Sequence, residues 1–130
     1  MKKKKKRILV DMSAAILHHG HIRLLRKASK YGKVYVGLAT DKEIKSFKNI
    51  KPELNYSSRK EVVSSIKYVS GVVKSKAKID SKFLKKHKFD FLIHGSDNQN
   101  PVDKKYVKIF KRTKNISTTI IRKRAIKNLR

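Results

Sequence analysis

Residues 7–25 read RILVDMSAAILHHGHIRLL, and the fold turns on how that stretch divides. Arg7–Asp11 is a short apolar run after a charged start, the pattern of a buried strand. Met12–Leu17 is a connection. From His19 to Tyr31 the apolar residues Ile22, Leu24, Leu25 and Ala28 lie on one helical stripe, and Gly32 stands where a helix-ending glycine would.

The same alternation continues. Val34–Ala39 reads as a second strand. Asp41 can cap a short helix to about Phe47, and a basic loop, Lys48–Asn55, follows with Pro52 inside it. Ser58 and Glu61 have capping-box spacing and predict a helix with Val62, Ile66 and Val69 on its apolar face. Gly71 ends that helix, and Val72–Val73 is a third strand. Asp80 caps a helix to about His87, Phe89–His94 alternates into a fourth strand, and Gly95–Pro101 is a polar loop. Val107–Phe110 is a fifth strand. Ser117 begins a last helix with Ile120, Ile121, Ala125, Ile126 and Leu129 on one side. Strands alternating with helices predict an α/β fold: one Rossmann-like domain with a five-stranded parallel sheet and helices on both faces. Ligands of such sheets bind beyond the carboxyl ends of the strands, so the loops at 12–21, 95–101 and 112–119 are the ones to inspect.

Composition narrows the function. The 130 residues fit one domain, and 38% hydrophobic content supports one modest core. There are no cysteines, which excludes disulfides, thiolate metal sites and cysteine nucleophiles and is compatible with a cytosolic location. No apolar run approaches the roughly 20 residues of a membrane span. The run Lys2–Arg7 is followed only by Ile8–Val10 before Asp11, so no signal-peptide core is expected. Net charge is +27, from 36 Lys and Arg against 9 Asp and Glu. Such a field attracts nucleic acid or phosphate-rich small molecules. The lysines are spread along the whole chain, which equally fits a general lysine bias.

Three motifs carry chemistry. His18-His19-Gly20-His21 lies after the first strand at a helix start, with His18 and His21 three apart on one face. Free backbone N–H groups there suit phosphate, Gly20 lets a phosphate approach the backbone, and two imidazoles can donate to its oxygens. A two-histidine zinc chelate and a surface cluster without a role are the competing readings. The second motif, Arg112-Thr113-Lys114-Asn115-Ile116-Ser117-Thr118-Thr119, places hydroxyls and an arginine at another helix start. An ordinary Ser/Thr cap has the same appearance. The third is Gly95-Ser96-Asp97-Asn98, where Asp97 faces a ribose, a base or an acceptor, or else simply makes a turn.

Taken in order, these residues resemble the cytidylyltransferase-like nucleotidyltransferases, in particular the glycerol-3-phosphate cytidylyltransferase type. The HxGH motif is His18–His21, continued by Ile22-Arg23-Leu24-Leu25. The RTxGISTT-like motif is residues 112–119, the Gly-Asp-Asp-like loop is Gly95-Ser96-Asp97, and an arginine followed by an RYVD-like segment is Arg59 with Lys67-Tyr68-Val69-Ser70. The departures are Met12-Ser13-Ala14-Ala15 for the family's Gly-Thr-Phe-Asp, Asn115 for a glycine, Ser70 for an Asp and Asn98 for a Trp. Ala15 thus replaces an acid. Asn at 115 suits a positive φ.

The resemblance implies a nucleotidyltransferase domain at 7–130 behind a basic extension at 1–6. It implies transfer of a cytidylyl group from CTP to a small phosphorylated alcohol or phosphonate, with release of pyrophosphate. His18 and His21 would be catalytic. Ser13, Ala14, His19, Gly20, Asp97, Arg112, Thr113, Ile116, Ser117, Thr118 and Thr119 would bind nucleotide. Lys45 or Lys48, and Arg59, would bind phosphate or acceptor. Mg²⁺ would arrive on the nucleotide phosphates with no dedicated protein metal site, and a cytoplasmic homodimer is expected. An adenylyltransferase of the same fold, a non-catalytic nucleotide-binding relative and a nucleic-acid binder remain as alternatives. The last would want aromatics interleaved on a basic face, whereas the Phe and Tyr residues fall mostly in predicted strands and helices.

Overall fold

The structure, a computed structural model, describes residues 5–129. Residues 1–4 of the basic extension and Arg130 lie outside the described residues. Five parallel strands form one sheet: β1 (Arg7–Met12), β2 (Lys33–Ala39), β3 (Val69–Ser75), β4 (Phe91–Gly95) and β5 (Val107–Phe110), in the order β3-β2-β1-β4-β5. The chain runs outward from β1 to β3 on one side, then crosses back to place β4 against β1. The order therefore reverses between β1 and β4, and the crevice of such a sheet opens there.

Helices α1 (His19–Ser29), α2 (Asp41–Lys48), α3 (Tyr56–Ser64), α4 (Ser81–Lys86) and α5 (Thr118–Asn128) connect or follow the strands. Alternate strand residues face opposite sides. Ile8, Val10, Val36 and Ile93 pack with Leu25 and Ala28 of α1 and Val63 of α3. Leu9 and Leu92 pack on the other side with Ile79, Leu84 of α4 and Phe89. Both faces are covered, as the strand–helix alternation requires. Ile8, Leu9 and Val10 have no exposed surface; each such side chain stabilises the fold by about 1.5–3 kcal/mol relative to exposure.

The ends of elements differ from expectation in instructive ways. Gly32 is not a left-handed cap, since no glycine has positive φ and α1 stops at Ser29. It is glycine because a Cβ there would run into the Lys6 carbonyl, which accepts from Lys33 N at 2.8 Å as β2 begins. Lys6, assigned to the extension, is thus tied to the sheet. Thr40, not Asp41, caps α2, its hydroxyl accepting from Glu43 N. Asn55 caps α3 by accepting from Ser58 N at 2.9 Å, so the helix starts ahead of the expected Ser58. Its inward positions are Arg59 and Val63; Val62 points out. Gly71 lies inside β3, where the Tyr35 ring covers it. A short 3-10 turn at Lys104–Tyr106, not anticipated, leads into β5. Along α5 no residue is fully buried, and Leu129 is 86% exposed, so the expected apolar side packs only through the half-buried first turn.

Candidate active site

A cleft of about 670 Å³ crosses the carboxyl edge of the sheet, within the range of small-molecule sites. His18, Gly20 and His21 form one wall, and Arg112, Thr113 and Ile116–Thr119 form the facing one. Ser13, Ala14, Lys48 and Asp97 also line it. The two helix starts touch. A Cβ on Gly20 would meet the His18 ring at 2.8 Å and Ile116 at 3.3 Å, and the Thr118 hydroxyl donates to the Ile16 carbonyl at 3.4 Å.

The histidine wall is a capping box made of imidazoles. His18 is the N-cap of α1, and its Nδ1 accepts from Gly20 N at 3.1 Å. His21 reaches back, its Nδ1 accepting from His18 N at 3.2 Å. A ring nitrogen that accepts from an N–H carries no proton, so each neutral ring is the Nε2–H tautomer. Nδ1 is spent on folding, and Nε2–H is left as the donor. The ring centroids are 4.0 Å apart. Burial, His18, Lys48 and Arg112 press the His21 pKa down to about 4. Burial, His19 and Arg112 lower that of His18. Both are neutral donors near pH 7.

That depression has a consequence for stability. The unfolded chain, with a histidine near 6.5, takes up the proton first as pH falls. The contribution of His21 is therefore fully present above pH 6.5 and is lost as pH falls toward 4, on the order of 3 kcal/mol in all. Urea unfolding at pH 7 and pH 4.5 should show a larger loss in the parent than in His21→Asn. Equal losses would mean that His21 titrates normally.

The facing wall is built by caps of the usual kind. Ser117 caps α5, its Oγ accepting from Ile120 N at 3.1 Å, which leaves the N–H groups of the first turn as anion donors. Asn115 has φ of 63°, the left-handed conformation that asparagine tolerates better than most residues. Ala14 is also left-handed, at φ 49°, and is buried beside the cleft. Strain of this kind persists only where the surroundings impose it. The methylene stem of Arg112 crosses Gly95, and its Nη1 lies 3.6 Å from Asp97 Oδ2.

Three expected residues are elsewhere. His19 is exposed outside the cleft, on the other side of the helix start from its two neighbours. Lys45 is likewise outside; the buried residue of α2 is Ile44, and Lys48, four positions on, shares its side and reaches the cleft. Burial first, then repulsion from Arg122 and Arg112, lowers the Lys48 pKa against the pull of Asp97. Arg59 is 1% exposed. Its Nε donates to Leu54 O, its Nη1 to Ser13 O at 2.8 Å and Ala39 O at 2.7 Å, and its Nη2 to Asp41 Oδ1 at 2.6 Å. It is a strut under the site: four of its five N–H groups are engaged, and it does not line the cleft.

The sequence reading passed over a second polar group. Asp11, at the end of β1, is buried; its Oδ1 lies 2.6 Å from His94 Nδ1, and its Oδ2 accepts from Asn100 Nδ2 at 3.0 Å. Burial disfavours charge on His94, but the Asp11 hydrogen bond and charge, with Asp97 beyond, outweigh it and raise its pKa. Arg122 of α5 also went unnoticed. It holds Glu53 through two 2.6 Å hydrogen bonds, fastening the loop after α2 beside the cleft. No signal short of the pairing itself marks these residues, because each partner lies dozens of positions away.

A parallel sheet whose carboxyl edge carries a histidine-capped helix start against a Ser-Thr-Thr helix start defines a phosphate-handling α/β domain. The cytidylyltransferase-like family model matches residues 13–124, and the chain belongs to that family. It is 36% identical over 125 residues to the glycerol-3-phosphate cytidylyltransferase of Staphylococcus aureus, spanning 90% of this chain and 92% of that one. It is 32% identical to the protein of the same name from Bacillus spizizenii, over 91% and 95% of the two chains. It is 33% identical to the ethanolamine-phosphate cytidylyltransferase of Mus musculus, over 87% of this chain and 31% of that one. The fold is shared with a lipopolysaccharide core biosynthesis protein from Thermoplasma volcanium GSS1, with a TM-score of 0.71 at 20% identity, over 84% of this chain and 98% of that one.

Proposed function

We propose that the chain transfers the cytidylyl group of CTP to a small phosphorylated alcohol or phosphonate. An acceptor oxygen bonds to the α-phosphorus, the bond from that phosphorus to the bridging oxygen breaks, and pyrophosphate leaves with the electron pair. No protein nucleophile is required, so the chain's work is positioning and charge stabilisation. The observation that carries this reading is the contact of the two helix starts around one cleft, with Nε2–H donors on one side and α5 N–H groups on the other.

In this reading His18 and His21 donate to oxygens that gain charge as pyrophosphate departs. Thr118, Thr119 and Arg112 hold the outer phosphates, and Lys48 adds a cation. Mg²⁺ supplies further charge neutralisation when it enters on the triphosphate. Such a metal would be held by phosphate oxygens and water; among the described residues no group of three His, Asp or Glu side chains is placed to hold an ion. The reading extends to a cytoplasmic homodimer, which light scattering would test; no helix among the described residues is long and apolar enough to cross a membrane.

CTP should raise the melting temperature more than ATP does, through ligand linkage. A pyrophosphate-release assay across four nucleoside triphosphates, with glycerol 3-phosphate, phosphoethanolamine and a phosphonate as acceptors, should give turnover with CTP. An equal or larger shift with ATP would remove the cytidine assignment. Stabilisation by CTP without pyrophosphate release would favour a binding protein, the reading that Ala15 motivates.

A further inference from the structure

We infer that a second groove, beside α4, binds a single strand of nucleic acid. It holds about 450 Å³ and lies between the end of β3, the start of α2 and α4. Of the residues that line it only Lys76 and Lys78 also line the cleft, so its other walls are its own. The inference is independent of the proposed transfer reaction.

One wall is the stretch from Lys74 to Asp80. Ser75 and Ile79 are buried and Ala77 is half-buried, so Lys74, Lys76 and Lys78 stand out between them. The backbone beneath is pinned: Ala77 N donates to Glu43 Oε2 at 3.4 Å, and Ile79 N to Asn100 Oδ1 at 2.6 Å. The facing wall is α4, where Lys82 and Lys86 are four apart and share a side. Five lysines thus line one trough. Two carboxylates also line it, and both are spent on backbone, Glu43 on Ala77 N and Asp80 on Phe83 N at 2.8 Å as the cap of α4. No ion pair among the described residues takes any of these lysines. Like charges on facing walls repel each other, and an anion laid between them turns that repulsion into attraction.

Shape and residue type choose the anion. A concave trough suits a thread and not a flat bilayer. One of this volume takes a short stretch of a single strand, whereas a duplex would rest on its rim. Lysine ammonium groups are point charges; they hold phosphate without the paired geometry by which arginine reads carboxylates and base edges. Helix α4 also brings an aromatic pair to the trough: Phe83 and His87, both half-buried, with ring centroids 4.4 Å apart. A base and its phosphate need a ring face beside a row of cations, and stacking is indifferent to which base arrives. Binding should therefore depend steeply on salt and little on sequence. Inorganic polyphosphate satisfies the lysines and makes no use of the rings.

The test is fluorescence anisotropy of a labelled oligouridylate of about twelve nucleotides, titrated with the full chain. Lys82→Gln with Lys86→Gln removes two charges from the α4 wall, outside the cleft. This double variant should bind about tenfold or more weakly, and its slope of log affinity against log salt should be shallower by about 1.4, roughly 0.7 for each lost phosphate contact. Lys123→Gln with Lys127→Gln removes the same charge from α5, where neither lysine lines the groove or the cleft. That control should change affinity by less than about twofold. His87→Ala, with a melting temperature close to the parent's, should bind about fivefold more weakly through lost stacking. Equal losses in the two double variants would mean that the overall charge of +27 holds the strand diffusely, and the inference fails. It fails too if His87→Ala binds like the parent, because the trough then recognises a phosphate chain alone. A duplex of the same length that binds as tightly as the single strand would overturn it as well.

Discussion

Replacing His18 or His21 with alanine should lower turnover by about a hundredfold or more while the domain stays folded. The magnitude is that of a donor removed from charge that develops in the transition state. The two rings also hold the start of α1 together, so each alanine variant should lose about 1 kcal/mol of stability with its cap. His18→Asn separates the two roles. Asparagine is a good N-cap and restores the acceptor for Gly20 N, but it cannot place a donor where Nε2–H was. It should melt close to the parent and remain as inactive as the alanine variant. Near-normal turnover in both alanine variants would remove the imidazoles from the mechanism.

Arg59→Met should destabilise the protein by about 3–5 kcal/mol. Four acceptors lose their donor at once: the carbonyls of Ser13, Ala39 and Leu54, and the Asp41 carboxylate. The Ala39 carbonyl is buried away from water that could replace the guanidinium, and the Ser13 and Leu54 carbonyls are partly buried. Total stability for a domain of this size is only about 5–15 kcal/mol, so a fall in melting temperature of about 10 °C or more is expected. Arg59→Lys should fall between, since an ammonium keeps the charge and reaches fewer of the four. A variant that melts like the parent but loses phosphate affinity would return Arg59 to the binding role its motif suggests.

The same arginine explains where the sequence could be read and where it could not. The strands were legible because their apolar runs are short, continuous and bounded by turn residues, and all five are present as a parallel sheet. The two helix starts that line the cleft were legible because each lies in one short segment. Helix α3 was misphased because a guanidinium occupies a core position where the pattern expects an apolar residue. Arg59 lies buried outside the cleft for the same reason: a motif gives a residue type and a spacing, while burial decides how many of its donors are free. His94 and Asp11 escaped notice because 83 residues separate the two halves of one hydrogen bond. Each looks ordinary at the end of its own strand. Asn115 was read correctly since a left-handed turn is a local property.

The strand order has a consequence for assembly of the chain in time. Along the chain β2 and β3 precede β4, which pairs with the other side of β1, and Thr118, which meets Ile16, follows β5. A nascent or truncated chain ending before residue 118 lacks half of the cradle, however well its first strands have formed. If the cradle takes CTP as proposed, nucleotide capture would report completion of the whole sheet, and partly synthesised copies would leave the CTP pool untouched.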